Sequence, residues 1–309
     1  MKTSTSKRLR WNVAIWLAAG LFMTSTAGMA SGPIMPDPKA EARHQPQVEE
    51  TANGIPLVNI TAPSSGGVSR NEYETFNVPD KGAILNNSYT LSKTELAGYV
   101  QGNNNMAERP AKIIVNEVTG AGSTSMDGFL EVAGNRADVV IANPNGITVN
   151  GGGFINTGKA FLTTGKPVYD GEDHLQRFDI TGGDILIEGK GLGGKETGSL
   201  AILSRAVRIN AGIWAKDLHI TTGANSIDAK TLEASAIEGK GGRPAFALDT
   251  AAIGGMYAGR ITLVGTEKGL GVNNSGTWSA EDNLILDWNG DLKNSGTIYS
   301  KGNTDLRAS

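Results

Sequence analysis

The tetrapeptide Asn-Ser-Gly-Thr occurs at Asn274, Ser275, Gly276 and Thr277 and again, twenty residues later, at Asn294, Ser295, Gly296 and Thr297, with Trp278 and Ile298 in the same phase. A period near 20 built from strand formers and turn formers, without helical spacing, is the mark of a β-solenoid. Each rung of such a fold is a set of short strands joined by sharp corners, and every strand pairs with its counterparts one rung away, at about 4.8 Å. Corners need residues that accept positive φ, which glycine does freely and asparagine tolerates. That requirement accounts for the run from Asn143 to Pro167, "NPNGITVNGGGFINTGKAFLTTGKP", in which turn formers surround isolated apolar pairs. Ile147, Val149, Phe154, Ile155, Phe161 and Leu162 are its core candidates, and asparagines at equivalent corners are expected to hydrogen-bond from rung to rung. At this period, residues 60 to 309 make roughly 12 rungs and a rod of roughly 60 Å.

Composition agrees with an all-β reading. Glycine is 42 of 309 residues and aromatics are 6%, while short runs rich in Val, Ile and Leu recur throughout and the charged fraction, 19%, is too low to hold a chain open. "KIIVNEV", "FLEVAG", "DVVIANP", "DILIEG", "LAILSRAVRI", "DLHITT", "RITLVG" and "NLILDW" read as strands bounded by Gly, Asn, Asp or Pro. Only "SKTELAGYV" and "KTLEASAIEG" have helical character, and both are too short to stand alone.

Residues 1–30 form a separate unit. Lys2, Lys7, Arg8 and Arg10 precede the apolar run "WNVAIWLAAGLFM", and Gly28 and Ala30 offer a cleavage site after Ala30, the pattern of a secretory signal peptide. The apolar run is shorter than the roughly 20 residues that span a bilayer, and no other segment is a candidate for a stable membrane span. After removal of these residues the balance is 24 basic against 31 acidic groups, 24 − 31 = −7, which argues against nucleic acid as a partner. Cysteine is absent, so no disulfide locks the exported chain. Residues 31–53, rich in Pro and charge, read as an extended leader without a core of its own, and order is expected to begin near Gly54.

Several constellations are tested by their context. "GKGLGG", Gly189 to Gly194, has dinucleotide-type glycine spacing, but no βαβ unit surrounds it and Glu196 stands where a phosphate loop needs Ser or Thr. His44, His174 and His219 are far apart in the chain, so no metal site is indicated, and no nucleophile-elbow motif supports a Ser-His-Asp triad. "DGEDH", Asp170 to His174, reads as a solvated hairpin tip. A polysaccharide-active β-helix enzyme, a lyase or hydrolase, is the enzymatic alternative, with Asp179 and Asp184, or Asp217 and Asp228, as its carboxylate pairs.

The blocks "GVSRNEYETFNV" (67–78), "GAILNNS" (82–88), "KIIVNEVTG" and "DGFLEVAGNRADVVIANPNGITVNGGGFINTG", followed by the twenty-residue repeats, closely resemble the amino-terminal domain of filamentous hemagglutinin-like exoproteins. These are the exported members of two-partner secretion systems, including the proteins of contact-dependent growth inhibition. The resemblance runs from about Gly54 to the end and is densest from Lys112 to Gly165. It implies a right-handed parallel β-helix with an amino-terminal cap and extra-helical strands, with the secretion domain over residues 54–270 and the start of hemagglutinin-type repeats over 271–309. The family's Asn-Pro-Asn-Gly-Ile motif matches in full at Asn143, Pro144, Asn145, Gly146 and Ile147. Its Asn-Pro-Asn-Leu motif is altered to Asn103, Asn104, Asn105 and Met106, and loss of the proline predicts a looser turn. Where the growth-inhibition branch often carries a cysteine pair, this chain has Val149 and Gly152.

The resemblance further implies export across the outer membrane to the cell surface or medium, through a dedicated transporter whose periplasmic domains read this domain, with no cofactor and no catalytic role. Asn143 to Ile147 and Asn103 to Met106 are the candidate recognition and corner elements. Asn274, Ser275, Gly276, Asn294, Ser295 and Gly296 are candidate repeat corners. Haemagglutination, also implied, adds a host or neighbouring-cell glycan or protein as a partner. The sequence ends within a rung at "TDLRAS", with no recognisable toxin module, so further repeats or a partner are expected to cover the last strand.

Overall fold

A short strand closed at both ends by corners cannot satisfy its backbone locally, so its N–H and C=O groups turn to the equivalent strand one rung away. The computed structural model describes residues 32–107 and 109–308 and shows this arrangement. The expected signal peptide lies outside the described residues.

Three files of parallel strands stack in register. One runs from Val68–Phe76 through Ile113–Val118, Ala137–Ala142, Thr157–Thr163, Ser199–Ser204 and the second half of Gly212–Thr222. It continues through the second half of Gly255–Gly265, Leu284–Trp288 and Thr304–Ala308. The second begins at Pro56–Asn59, Ala83–Asn87 and Phe129–Gly134 and ends at Thr277–Ala280 and Thr297–Ser300. The third holds Thr124–Met126, Ile147–Val149, Asp184–Ile187, Ala206–Ile209, Phe246–Thr250, Gly271–Asn274 and Leu292–Asn294. Together they make the parallel β-helix that the repeat requires.

The first file contains nine strands, fewer than the roughly 12 rungs expected, and eight steps of about 4.8 Å give a stack of only about 38 Å. The difference is chain spent outside the coil. Ser92–Thr94 and Gly98–Val100 form an antiparallel hairpin. Lys166–Tyr169, Leu175–Ile180, Asn225–Asp228 and Ala234–Ala236 form a four-stranded antiparallel sheet. Both segments with helical character fall in these excursions. "SKTELAGYV" is the hairpin and "KTLEASAIEG" contributes Ala234–Ala236; among the described residues only two short 3-10 turns, Ala42–His44 and Asn104–Met106, are helical.

The interior of the coil is a continuous apolar core that includes Leu130, Val139, Ile141, Ile147, Val149, Phe154, Leu162, Ile202, Ile220 and Trp278. A second core, of Val115, Val140, Phe161, Phe178, Ala201, Leu203 and Ile227, lies beneath the antiparallel sheet. Adjacent residues of a strand point to opposite faces, so Val139 and Val140, or Phe161 and Leu162, are buried on opposite sides of one sheet. The same file later reads Leu218, His219, Ile220 and Ile261, Thr262, Leu263, with polar residues facing out and only partly buried. Of the core candidates, Ile155 is only partly buried.

Residues 32–53 correct the expectation of a coreless leader. Ile34–Pro36 pairs antiparallel with Val68–Phe76, Gln47–Glu50 pairs antiparallel with Pro56–Asn59, and Ile34 and His44 are buried. The first rung would otherwise present open strand edges, and this segment covers them, so it is the amino-terminal cap. Order therefore begins well before Gly54.

Phe178 is fully buried, 6.0 Å between ring centroids from Phe161. Phe178→Ala is expected to destabilise the fold by about 3–5 kcal/mol in urea unfolding. Arg177→Ala, on the exposed face of the same strand, is expected to change it by less than about 1 kcal/mol.

Candidate functional site

The two asparagine motifs turn out to be built alike. Asn143 is fully buried; its Oδ1 accepts the Asn145 N–H at 2.9 Å, and its carbonyl accepts the Gly146 N–H at 3.1 Å. Its Nδ2 donates to Gly122 O at 2.9 Å and Thr124 Oγ1 at 3.0 Å. Asn103, likewise buried, accepts the Asn105 N–H on Oδ1 at 3.0 Å and the Met106 N–H on its carbonyl at 3.2 Å. Its Nδ2 donates to Ile60 O and Asn86 O, both at 2.9 Å. In each motif the first asparagine side chain folds the turn and also ties it to backbone carbonyls elsewhere in the coil, with Thr124 Oγ1 as a further acceptor for Asn143.

The other positions agree. Pro144 and Asn145 are exposed while Gly146 and Ile147 are buried; Asn104 is exposed, Asn105 partly buried and Met106 buried. The third asparagine also reaches across, Asn145 Nδ2 to Gly120 O at 2.8 Å and Asn105 Nδ2 to Ile60 O at 3.1 Å. The turn at Asn103 thus keeps the two closing bonds of the proline-containing one, while the bond from Asn145 Nδ2 to Asn143 Oδ1, at 3.1 Å, has no counterpart there among the described residues. Gly146 has φ +112°, where a side chain would be strained, whereas the first motif leaves the turn through Ala107 at φ +40°. Each motif is bonded to its own rungs and none of these bonds joins the two.

The repeat corners do meet. Asn274 Nδ2 donates to Asn294 Oδ1 at 2.8 Å, Ser295 Oγ to Ser275 Oγ at 3.1 Å, and the Gly276 N–H to Asn274 Oδ1 at 3.1 Å. A Cβ built on Gly296 would lie 2.1 Å from Gly276 O, so the corner stacks more closely than any other residue type permits. Val149 and Gly152 are also neighbours, since a Cβ on Gly152 would lie 2.8 Å from Val149 Cγ1.

The other candidates resolve into structural roles. "GKGLGG" is a rung corner leading into the strand Leu192–Gly194. Asp179 pairs with Arg177 and accepts from Ser226; Asp184 pairs with Arg208, Asp217 pairs with Arg260, and Asp228 accepts the N–H groups of Lys230 and Thr231. Each of these carboxylates is therefore engaged separately. Ser65 Oγ, His174 and Asp170 do stand in triad order, at 3.1 and 2.9 Å, but Ser65 is exposed and Glu172 also approaches it, at 3.4 Å. The group ties the hairpin tip to the loop at Ser65.

Asp173 corrects the solvated-tip reading. It reaches His44 Nε2 at 3.4 Å, Arg43 at 3.2 Å and Arg70 at 3.7 Å, while His44 Nδ1 lies 3.2 Å from Glu72. Arg70 also pairs with Glu72 at 2.8 Å, lies 3.6 Å from Glu117 and sits 4.3 Å over the Tyr169 ring. This cluster fastens the cap to the antiparallel sheet. Its sequence signal is the Asn-Glu dipeptide at Asn71-Glu72 and Asn116-Glu117, which pair in register on neighbouring rungs.

Burial pushes the Glu117 carboxyl above the ordinary glutamate range, with Arg70 drawing it back. The folded chain then holds this proton more tightly than the unfolded chain does. Its contribution to stability is present at low pH and is lost as pH rises from the ordinary glutamate range through the raised folded value. Glu117→Gln is expected to remove that decline from a series of urea midpoints taken between about pH 4 and 8. Asn103→Ala and Asn143→Ala each remove two donated bonds and leave the N–H two residues on without its side-chain acceptor, and each is expected to cost about 1–3 kcal/mol. Asn103 is extended, at φ −83° and ψ 116°, which suits a residue before proline. Asn104→Pro is therefore expected to raise stability by about 0.4–1 kcal/mol, seen as a higher urea midpoint.

The family described as the TPS secretion domain matches residues 33–298. The chain is 42% identical over 298 residues to the toxin CdiA of Yersinia pestis, covering 89% of this chain and 9% of that protein. It is 44% identical over 284 residues to the 16S rRNA endonuclease CdiA of Enterobacter cloacae, covering 91% of this chain and 8% of that protein. It thus spans less than a tenth of the length of these relatives. The crystal structure of a filamentous hemagglutinin secretion domain superposes with a TM-score of 0.76 at 30% identity, covering 90% of this chain and all of that one. With nearly the whole described coil inside the match, this chain belongs to the TPS secretion domain family of two-partner secretion exoproteins.

Proposed function

We propose that this domain is the export signal of a two-partner secretion exoprotein, read in its unfolded form by the periplasmic domains of a cognate outer-membrane transporter and folded into the β-helix outside the cell. Family membership and the parallel coil support this reading. Each rung pairs with the rung before it, so order spreads along the chain as it emerges, and folding on the far side favours outward movement. The product is then secreted or displayed at the cell surface.

In this proposal Asn143 to Ile147 and Asn103 to Met106 act twice, as recognition elements in the extended chain and as corners in the folded one. The single observation that carries it is the split within each motif. Asn143 and Asn103 are buried in the fold, whereas Pro144, Asn145 and Asn104 are exposed, with the Asn145 amide still donating to Gly120 O. A second reading, adhesion to a glycan or protein of a host or neighbouring cell, is favoured by aromatic rings left exposed on the coil.

Asn145→Ala removes an exposed side chain, so it is expected to cost less than about 1 kcal/mol of stability while lowering transporter-dependent export severalfold. Asn143→Ala is expected to lower both. Export that tracks the measured stability of the purified variants, with no separate loss at Asn145, sinks the recognition role.

A further inference from the structure

Seven residues occupy one register position on consecutive rungs of the second file: Phe129, Gly153, Gly193, Trp214, Tyr257, Ser279 and Tyr299. Their strand neighbours Leu130, Phe154, Leu192, Ile213, Met256 and Trp278 are buried in the coil, so this column faces outward. Phe129 is 43% exposed, Tyr257 39% and Tyr299 49%. The column extends about 29 Å along the stack, six steps of about 4.8 Å.

The rings lie down on the sheet rather than standing off it. A Cβ on Gly212 would be 2.5 Å from Trp214 Cη2, and one on Gly153 would be 2.4 Å from Phe129 Cε1. The Trp214 and Tyr257 planes differ by 15°, with centroids 6.2 Å apart. Between Phe129 and Trp214, Gly193 forms the bare floor of a cleft of about 280 Å³, with Lys195 and Glu196 on its rim. Glycine within a strand weakens it and marks places where something approaches the backbone closely.

We propose that this column binds a neutral polysaccharide lying along the coil axis. Flat aromatic faces accept the C–H faces of pyranose rings, and Lys195, Glu196 and the Ser279 hydroxyl supply hydrogen-bonding groups for sugar hydroxyls. The rim carries one cation and one anion, so it has no net charge to select a polyelectrolyte. A peptide strand gains nothing here, because the backbone groups of this sheet already pair with the rungs on either side. Four partly exposed rings offer roughly 300–400 Å², about half of the 800 Å² per partner typical of a stable protein interface. The inference rests on the folded domain reaching the cell exterior, and binding by the purified chain is measured without export, so the two readings fail separately.

Trp278 and Trp288 are buried, which leaves Trp214 as the partly exposed tryptophan of the described residues. Titration of the purified full chain with cellohexaose, N-acetylchitohexaose and laminarihexaose, followed by tryptophan fluorescence and calorimetry, is expected to give saturable binding by at least one of them. The hexamer is expected to bind at least about tenfold more tightly than the matching disaccharide, and Tyr257→Ala to weaken it about tenfold. Gly193→Leu fills the floor, and since a Cβ there has 3.8 Å of clearance the variant is expected to fold, as near-ultraviolet circular dichroism would report, and to lose binding. Any of three results overturns the proposal: no binding of all three hexamers, binding undiminished in folded Gly193→Leu, or preference for heparin or an extended peptide over the neutral sugars.

Discussion

Parallel backbone pairing between successive rungs is the constraint on which the rest of this molecule depends. Strands this short have no stability of their own, and they persist because each one is held on both faces of its ladder by strands of like length at a fixed register. Register in turn decides which side chains meet. It stacks Asn274 on Asn294, lines up Glu72 with Glu117, and places Phe129, Trp214, Tyr257 and Tyr299 in a single column.

A ladder solves the problem of its middle and leaves the problem of its ends and faces. The amino-terminal end is closed by residues 32–53, whose two antiparallel pairings occupy the edges of the first rung. The face of the first file is covered by the antiparallel sheet over Val140, Phe161 and Leu203, and the hairpin Ser92–Thr94 with Gly98–Val100 covers Ile84 and Ala133. The ionic cluster around Arg70 and His44 links cap to sheet. Breaking one partner of so buried a group would leave charge without compensation, so the cluster holds these additions in one arrangement.

On the proposed reading, the asparagine motifs serve both an unfolded and a folded chain. In the coil the first asparagine is a fastener whose amide and carbonyl are both spent. Pro144, Asn145 and Asn104 beside it are exposed, and on the proposed reading they carry the second role before folding. The altered motif at Asn103 keeps the two bonds that close the turn, to Oδ1 and to the carbonyl, without the proline.

Much was legible from local pattern. Turn formers at a period near 20 determined the coil, the positive-φ corner at Gly146 and the meeting of Asn274 with Asn294, because those depend on repeats of residue type along the chain. Double-sided burial was written into runs such as "DVVIA" and "LAILS", where both alternating sets are apolar. The sequence did not show that residues 32–53 are a cap, that Asp173 joins His44 and Glu72, or that Phe129, Trp214 and Tyr257 share a face. Those pairings link positions tens to more than a hundred residues apart, across excursions of unequal length that erase the simple period. Only the closed backbone ladder fixes how many residues leave the coil between one rung and the next, and with that count it decides which distant side chains become neighbours.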